Sequence, residues 1–319
     1  MKSHPRSLAY TLLLLVSLPC VAVDLETAIR ESWRAEDPIA QLAREVRASP
    51  QEFSYTELAI RVSRELFPEL DENGGKAFKQ ELDALAERLR KPLKKARTTA
   101  DKAEAIADLL YGELGLRTEA NEKPMQEQPK HYFPHAVLND KRGVCLGFSM
   151  IYLCLAERLE LPLVAAHAPQ HIYLKWLSGE ETISIETTRR GRTYSESDFR
   201  DRYRLTEKET KENEYFTPAG RLAVLGDLLN GAAWFSSIGT AKRKLSPKRA
   251  VLFGQLCVAI GPKNYNNWDT LAQAYSYAGE HKAALAALER TLALRPSSSS
   301  QTENFWQERL EEFKKAAEQ

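Results

Sequence analysis

Cysteine is scarce in this sequence, with four in 319 residues. One of them, Cys20, lies in an apolar leader, which leaves Cys145, Cys154 and Cys257 for the folded chain. Cys145 and Cys154 share one predicted helix, roughly 13.5 Å apart along its axis. A disulfide needs Cα atoms within about 7 Å, so that pair cannot bridge and a disulfide framework is excluded. Charge of one sign is also lacking. Forty-five basic residues stand against 44 acidic ones, net +1, which excludes the electrostatic footprint of a nucleic-acid binder. The apolar run Leu8 to Leu18 rises only about 16 Å as a helix, too short for a bilayer core of about 30 Å.

What that run does have is the layout of a secretory leader. Lys2 and Arg6 precede it and "PCVAVD" follows, with cleavage expected after Ala22. Pro19 and Leu18 are poor neighbours for lipoprotein processing at Cys20. The mature chain is therefore expected to be exported, to a periplasm, with no membrane span after cleavage. Three cysteines in an oxidising compartment leave at least one thiol free.

From Asp24 to about Leu116 the apolar spacing is helical. "FSYTELAIRVSRELFPEL" offers Leu58, Ile60, Val62 and Leu66, with Ser54 or Thr56 as cap and Pro68 as stop. "DENGG" reads as a loop. "KAFKQELDALAERLRKPL" puts Phe78, Leu82, Leu85 and Leu89 on one face, and "DKAEAIADLLYGELGL" does the same with Ile106, Leu109 and Leu110. After a helix from Cys145, "HIYLKW" and "TISIETT" alternate with period two and read as strands around the turn "LSGE". A hairpin with a four-residue loop pairs Trp176 with Glu181, Leu174 with Ile183 and Ile172 with Ile185. It also sets His171 directly opposite Glu186, with Cβ atoms about 4.5–5.5 Å apart.

A repeat follows at a spacing of 34 residues: Trp234 and Trp268, Ala250 and Ala284, Pro262 and Pro296. The second unit, with Trp268, Leu271, Ala272, Tyr275, Gly279, Ala284 and Pro296, resembles a tetratricopeptide repeat. The first is degenerate at Ser237 and Ala241. "SSSS" at 297–300 reads as a linker and "QTENFWQERLEEFKKAAEQ" as a capping helix. Two units form no long solenoid, so they are expected to dock on the preceding domain and to present a surface to a protein or peptide partner.

The chemistry gathers at Cys145. A thiol at a helix start feels the positive end of the dipole, which favours the thiolate, and the unpaired backbone N–H groups there can hold an oxyanion. His171 would take the thiol proton and return it to the leaving group, with Glu186 orienting the imidazole. His167 in "AAHAPQ" is the rival base, placed second because a turn follows it. Asn139 is a candidate helper for the oxyanion. His131 and His135 have ligand spacing, but Pro134 interrupts the helix and no second cluster accompanies them, so neither metal nor cofactor is expected. "TTRRGR" reads as a solvated turn, with substrate-carboxylate binding by Arg189, Arg190 and Arg192 a lesser reading. Trp234 and Trp268 read as packing residues of the repeat.

The motifs "RGVCLGFSMIYLCLAERLELPL", "APQHIYLKW" and "ISIETTRRG" together resemble the transglutaminase-like superfamily of papain-type cysteine enzymes, and most nearly a bacterial subgroup with tetratricopeptide repeats. "ELAIRVSRELFPELD", "ELDALAERLRKPL" and "LLYGELGL" resemble that subgroup's N-terminal segment. The resemblance implies an α+β fold: a helical N-terminal segment, a core with one catalytic-type helix and antiparallel strands, then a helical repeat pair. Behind the leader at 1–22, it implies the core domain with its helical segment at 23–214 and the repeat region with a capping helix at 215–319. It also implies a cysteine-dependent hydrolase or acyl transferase working through Cys145, His171 and Glu186. Glu186 departs from the aspartate usual there. Some members lack the cysteine, so a non-catalytic adaptor that uses the repeat surface is the alternative.

Overall fold

The structure, a computed structural model, describes residues 24–118, 128–179, 181–296 and 303–319. The leader and the Ser297–Ser300 linker fall outside the described residues. In chain order the helices are α1 (Leu25–Ser32), α2 (Pro38–Ala48), α3 (Tyr55–Ser63), α4 (Glu72–Lys95) and α5 (Thr99–Ala107), the last running on as a wider turn, Asp108–Glu113. A short helix α6 (Pro134–Asp140) precedes α7 (Cys145–Leu159). Then come α8 (Glu196–Asp201), α9 (Glu207–Glu212), α10 (Arg221–Ser237), α11 (Pro247–Ile260), α12 (Tyr265–Tyr277), α13 (His281–Leu294) and α14 (Glu303–Ala317).

The N-terminal helices start where side-chain caps allow. Ser54 accepts from the Glu57 N–H at 3.0 Å and opens α3. The expected loop "DENGG" is instead the entry to α4. Asp71 caps it by accepting from Gly74 N–H at 2.9 Å. Glycine persists there because of close approach: a Cβ on Gly74 would lie 2.2 Å from the Glu69 carbonyl oxygen. The faces expected of α4 and α5 are inward, with Phe78, Leu82, Leu85, Leu89 and Ile106 all buried.

Strands β1 (Arg117–Thr118) and β2 (Arg142–Gly143) form a short parallel pair. The main sheet holds β3 (Leu163–Ala168), β4 (His171–Ser178), β5 (Glu181–Glu186), β6 (Arg192–Ser195) and β7 (Pro218–Ala219), in the order β6-β5-β4-β3-β7, antiparallel throughout. A mixed helix-and-sheet architecture of the α+β kind is thus present. Ile172, Leu174 and Trp176 of β4 join Ile183 and Ile185 of β5 in the core that includes α7. The opposite face carries a second apolar layer of Tyr173, Phe199, Tyr215 and Phe216. Lys175 is buried on that face and neutralised there, donating to the Phe216 carbonyl at 2.7 Å and reaching Glu196 at 3.1 Å.

The β4–β5 register differs by two residues from the expected one. Leu174 pairs with Ile185, Trp176 with Ile183 and Ser178 with Glu181. The strands run further toward their turn than "HIYLKW" and "TISIETT" suggested, with β4 ending at Ser178 and β5 beginning at Glu181. Gly179 has φ +59°, the left-handed backbone a tight hairpin turn requires. A shift of two keeps every side chain on its expected face, whereas a shift of one would have inverted the sheet. His171 is therefore diagonal to Glu186, not directly opposite it.

Beyond the sheet, α10 to α14 form successive packed helices. Trp268 is buried on α12 with its indole N–H donated to the Pro262 carbonyl at 2.8 Å. Among the described residues no helix is long and apolar enough to cross a membrane.

Candidate active site

Cys145 is the first residue of α7. Val144 before it is extended, and no side chain caps the helix. The N–H groups of Cys145, Leu146 and Gly147 therefore have no helical carbonyl to pair with. Gly147 lets this first turn press against the segment before α6. A Cβ there would lie 2.6 Å from both the His131 carbonyl oxygen and Val137 Cγ2. Sequence and packing together fix the sulfur at the helix mouth, partly exposed, while Cys154 and Cys257 are buried.

His171 opens β4, just after the turn at Pro169 and Gln170. Its Nε2 lies 2.9 and 3.1 Å from the two carboxylate oxygens of Glu186. With Nε2 engaged, Nδ1 is the ring nitrogen left to face Cys145, and the thiol and the ring are close enough to shift each other's proton affinity. The diagonal register is what makes this reach natural, since residues offset by two across a strand pair remain within range of long side chains.

Glu186 ends β5 and caps the turn that follows. Its Oε1 accepts from Thr188 N–H at 3.0 Å and from Thr188 Oγ1 at 2.6 Å. The carboxyl is almost wholly buried, with 3% of its side chain exposed. Burial alone would raise its proton affinity, but the hydrogen bond and charge of His171 and the two bonds from Thr188 outweigh it, holding the carboxyl at about 2.

The same balance runs through the other two groups. Burial pulls the His171 imidazolium down, yet its contacts with Cys145 and Glu186 lift it to about 10. Burial pushes the Cys145 thiol up, but the hydrogen bond and charge of His171 and the Ile172 backbone N–H bring it below its usual value. An ion pair of thiolate and imidazolium is the state all three shifts favour. By contrast, burial pushes the Cys154 thiol up to about 12.

The thiol opens onto a cleft of about 560 Å³ between the sheet and the helices α10, α12 and α14. His171, His167, Tyr132 and Gln170 line one side; Asp227, Asn230, Trp234, Asn266 and Arg309 line the other. Trp234 thus faces the cleft, whereas Trp268 is the packing residue both were expected to be. Asn139 is exposed on α6 and is absent from this lining. His135 is buried without a hydrogen bond, its ring edge-on to Phe67, while His131 meets Asp140 at 3.3 Å.

Two features of the site went unread in the sequence. One is Thr188, whose two bonds lock Glu186. The other is Asp227, which binds the His167 that was ranked second. Asp227 had a signal: it is the single acidic residue in "RLAVLGDLLNGAAWFSS".

Residues 76–230 match the family model described as the transglutaminase-like superfamily. The chain therefore carries a transglutaminase-like domain, and the matched span contains Cys145, His171, Glu186, His167 and Asp227. F-box only protein 21 of Mus musculus is 26% identical to this chain over 83 residues, which are 26% of this chain and 13% of that protein. The chain thus matches only a small part of that relative's length. Among solved structures, "Crystal structure of menin reveals the binding site for Mixed Lineage Leukemia (MLL) protein" resembles the chain with a TM-score of 0.39 and 13% identity, covering 84% of this chain and 69% of that one.

Proposed function

We propose that the chain is a thiol enzyme that attacks an amide or peptide carbonyl through Cys145, with His171 as acid–base partner and Glu186 as the group that orients it. The observation that carries this reading is the meeting of Cys145 and His171 on one cleft, with the imidazole hydrogen-bonded to Glu186 and electrostatically coupled to the thiol. The thiolate adds to the carbonyl carbon, and the oxyanion is held by the N–H groups of the uncapped first turn of α7. His171 gives its proton to the departing amine, leaving an acyl-enzyme. Hydrolysis is the favoured fate, because the cleft is open to water, which is present in excess over any amine.

The leader Met1 to Ala22 fits export to a periplasm, and α10 to α13 fit a pair of tetratricopeptide repeats that offer a surface to a protein or peptide partner. The adaptor alternative calls for a thiol sealed by apolar side chains. A partly exposed Cys145 lining a polar cleft favours the enzyme. Iodoacetamide at neutral pH tests the reading. Cys145 should be alkylated in the native chain well ahead of Cys154 and Cys257, and His171→Ala should suppress that alkylation. Equal rates in the two proteins would refute it.

A further inference from the structure

The triad leaves a second imidazole–carboxylate pair unused. His167, on β3, holds its Nε2 2.9 and 3.1 Å from the two carboxylate oxygens of Asp227 on α10. His171 meets Glu186 at the same two distances. Both pairs border the cleft onto which Cys145 opens. A tie between sheet and helix would serve equally well if fully buried, yet 23% of the His167 side chain and 18% of the Asp227 side chain remain exposed. With Nε2 taken, Nδ1 is the nitrogen His167 has left. The charged and titratable groups that bear on this ring come from three elements: Asp227 of α10, Cys145 of α7 and His171 of β4.

We infer that His167, held by Asp227, is the general base that activates the acceptor, water in hydrolysis, in the step that frees the acyl group from Cys145. The inference rests on the thiol-enzyme reading above. In the acyl-enzyme, His171 has already surrendered its proton and its free nitrogen faces the acylated sulfur. An acceptor entering from the α10 side meets His167 instead. His167 Nδ1 takes one proton from water as the oxygen bonds to the thioester carbonyl carbon. The carbon–sulfur bond breaks, and the pair of electrons leaves with the sulfur as thiolate. His171 recovers its proton from the new carboxylic acid, and His167 passes its own to solvent. The thiolate–imidazolium pair is restored, the product is a carboxylate, and one proton is released.

The electrostatics suit this role. Burial draws the His167 imidazolium down, but the charge and hydrogen bond of Asp227 raise it above its usual value; in the free chain the Cys145 thiolate adds to this and His171 opposes it, and in the acyl-enzyme, with the thiolate gone, Asp227 is the group that still raises it. Asp227 thereby makes His167 a stronger base than a free imidazole.

p-Nitrophenyl acetate separates the two halves of the reaction on the full chain. A burst of p-nitrophenolate reports acetylation of Cys145, and intact-mass spectrometry follows loss of the acetyl group. His167→Gln should keep the burst while acetyl loss slows by roughly 100-fold or more, the usual contribution of a positioned general base. Asp227→Asn should slow acetyl loss less and move its pH profile toward lower pH. Should His167→Gln fail to fold by circular dichroism, the Asp227→Asn profile decides alone, and an unmoved profile overturns the inference. Wild-type acetyl loss in a folded His167→Gln overturns it also, as does disappearance of the burst, which would put His167 in acylation. A wild-type chain without a Cys145-dependent burst overturns the thiol-enzyme reading itself, and this inference with it.

Discussion

Replacing Glu186 by glutamine keeps the side-chain shape and removes its charge, which isolates what the carboxylate does for His171. The wild-type carboxylate accepts from His171 and twice from Thr188 while nearly wholly buried. Its depression from 4.5 to about 2 corresponds to roughly 3 kcal/mol of preference for the charged form in the fold. The elevation of His171 reports much of the same ion pair from its other end, so the two shifts are not added. Because His171 leads the groups that lower it, the imidazolium of Glu186→Gln should lose on the order of 1–2 kcal/mol, or about one pH unit. The thiolate loses its partner to the same extent. Alkylation of Cys145 by iodoacetamide, measured from pH 4 to 10, reads the thiolate directly. The wild-type midpoint should lie below the ordinary thiol value of 9.0, and the variant's about one unit higher. Stability gives a second readout. A depressed carboxylate contributes fully above its unfolded value of 4.5 and loses that contribution as pH falls through about 2. The stability gap between wild type and variant should therefore be widest above pH 4.5 and close toward pH 2. Coincident alkylation profiles would refute the coupling between Glu186 and the thiol.

Three further outcomes follow from the packing. Cys154→Ala should leave the Cys145 alkylation rate unchanged, because burial keeps the Cys154 thiol protonated up to about pH 12; tryptic mass mapping checks which sulfur is labelled. Gly147→Ala should destabilise the fold by about 1–3 kcal/mol, read from a denaturant midpoint, since the added methyl meets the His131 carbonyl oxygen and Val137 at 2.6 Å. His135 is buried against Phe67 and held neutral, its proton affinity lowered from 6.5 to about 4. The unfolded chain protonates it first as pH falls. Its contribution is thus intact above pH 6.5 and shrinks by up to about 3 kcal/mol on approaching pH 4, so His135→Leu should flatten the stability curve in that window.

The candidate site was more legible than the fold around it, for a geometric reason. The strand pairing read from "HIYLKW" and "TISIETT" was two residues out, yet His171 and Glu186 stayed in contact. Side-chain facing has a period of two, so the error moved Glu186 along the sheet and not through it. The turn itself was misjudged because "LSGE" takes Leu177 and Ser178 into the loop, although both pair within the sheet. "DENGG" misled in the opposite direction. Its glycines read as breakers, but the missing Cβ of Gly74 lets the first turn of α4 lie against Glu69, and that of Gly75 leaves room for Arg64. Helical faces such as Phe78, Leu82, Leu85 and Leu89 were legible because burial alone imposes that spacing. Contacts between distant segments carry no local pattern, and the pairing of His167 with Asp227, 60 residues on, is of that kind.

That pairing also bears on why the helical layer adjoins this sheet. Cys145 of α7 and His171 of β4 line the cleft, with Glu186 of β5 behind the imidazole. The opposite side is built by α10, α12 and α14, which supply Asp227, Asn230, Asn266 and Arg309. Arg309 reaches Asp269 at 2.7 Å and Gln273 at 3.2 Å, so α14 is tied to α12 across the rim by polar contacts. The sheet is bound to α10 through His167, and Arg221 at the start of α10 reaches Glu157 of α7 at 2.8 Å. A rotation of α10 would therefore strain the base at β3 and the end of the thiol-bearing helix together. Removing Arg221 should accordingly alter acetyl-enzyme turnover more than it alters the burst, because Arg221 anchors the helix whose Asp227 holds His167, whereas Cys145 stands at the end of α7 remote from Glu157.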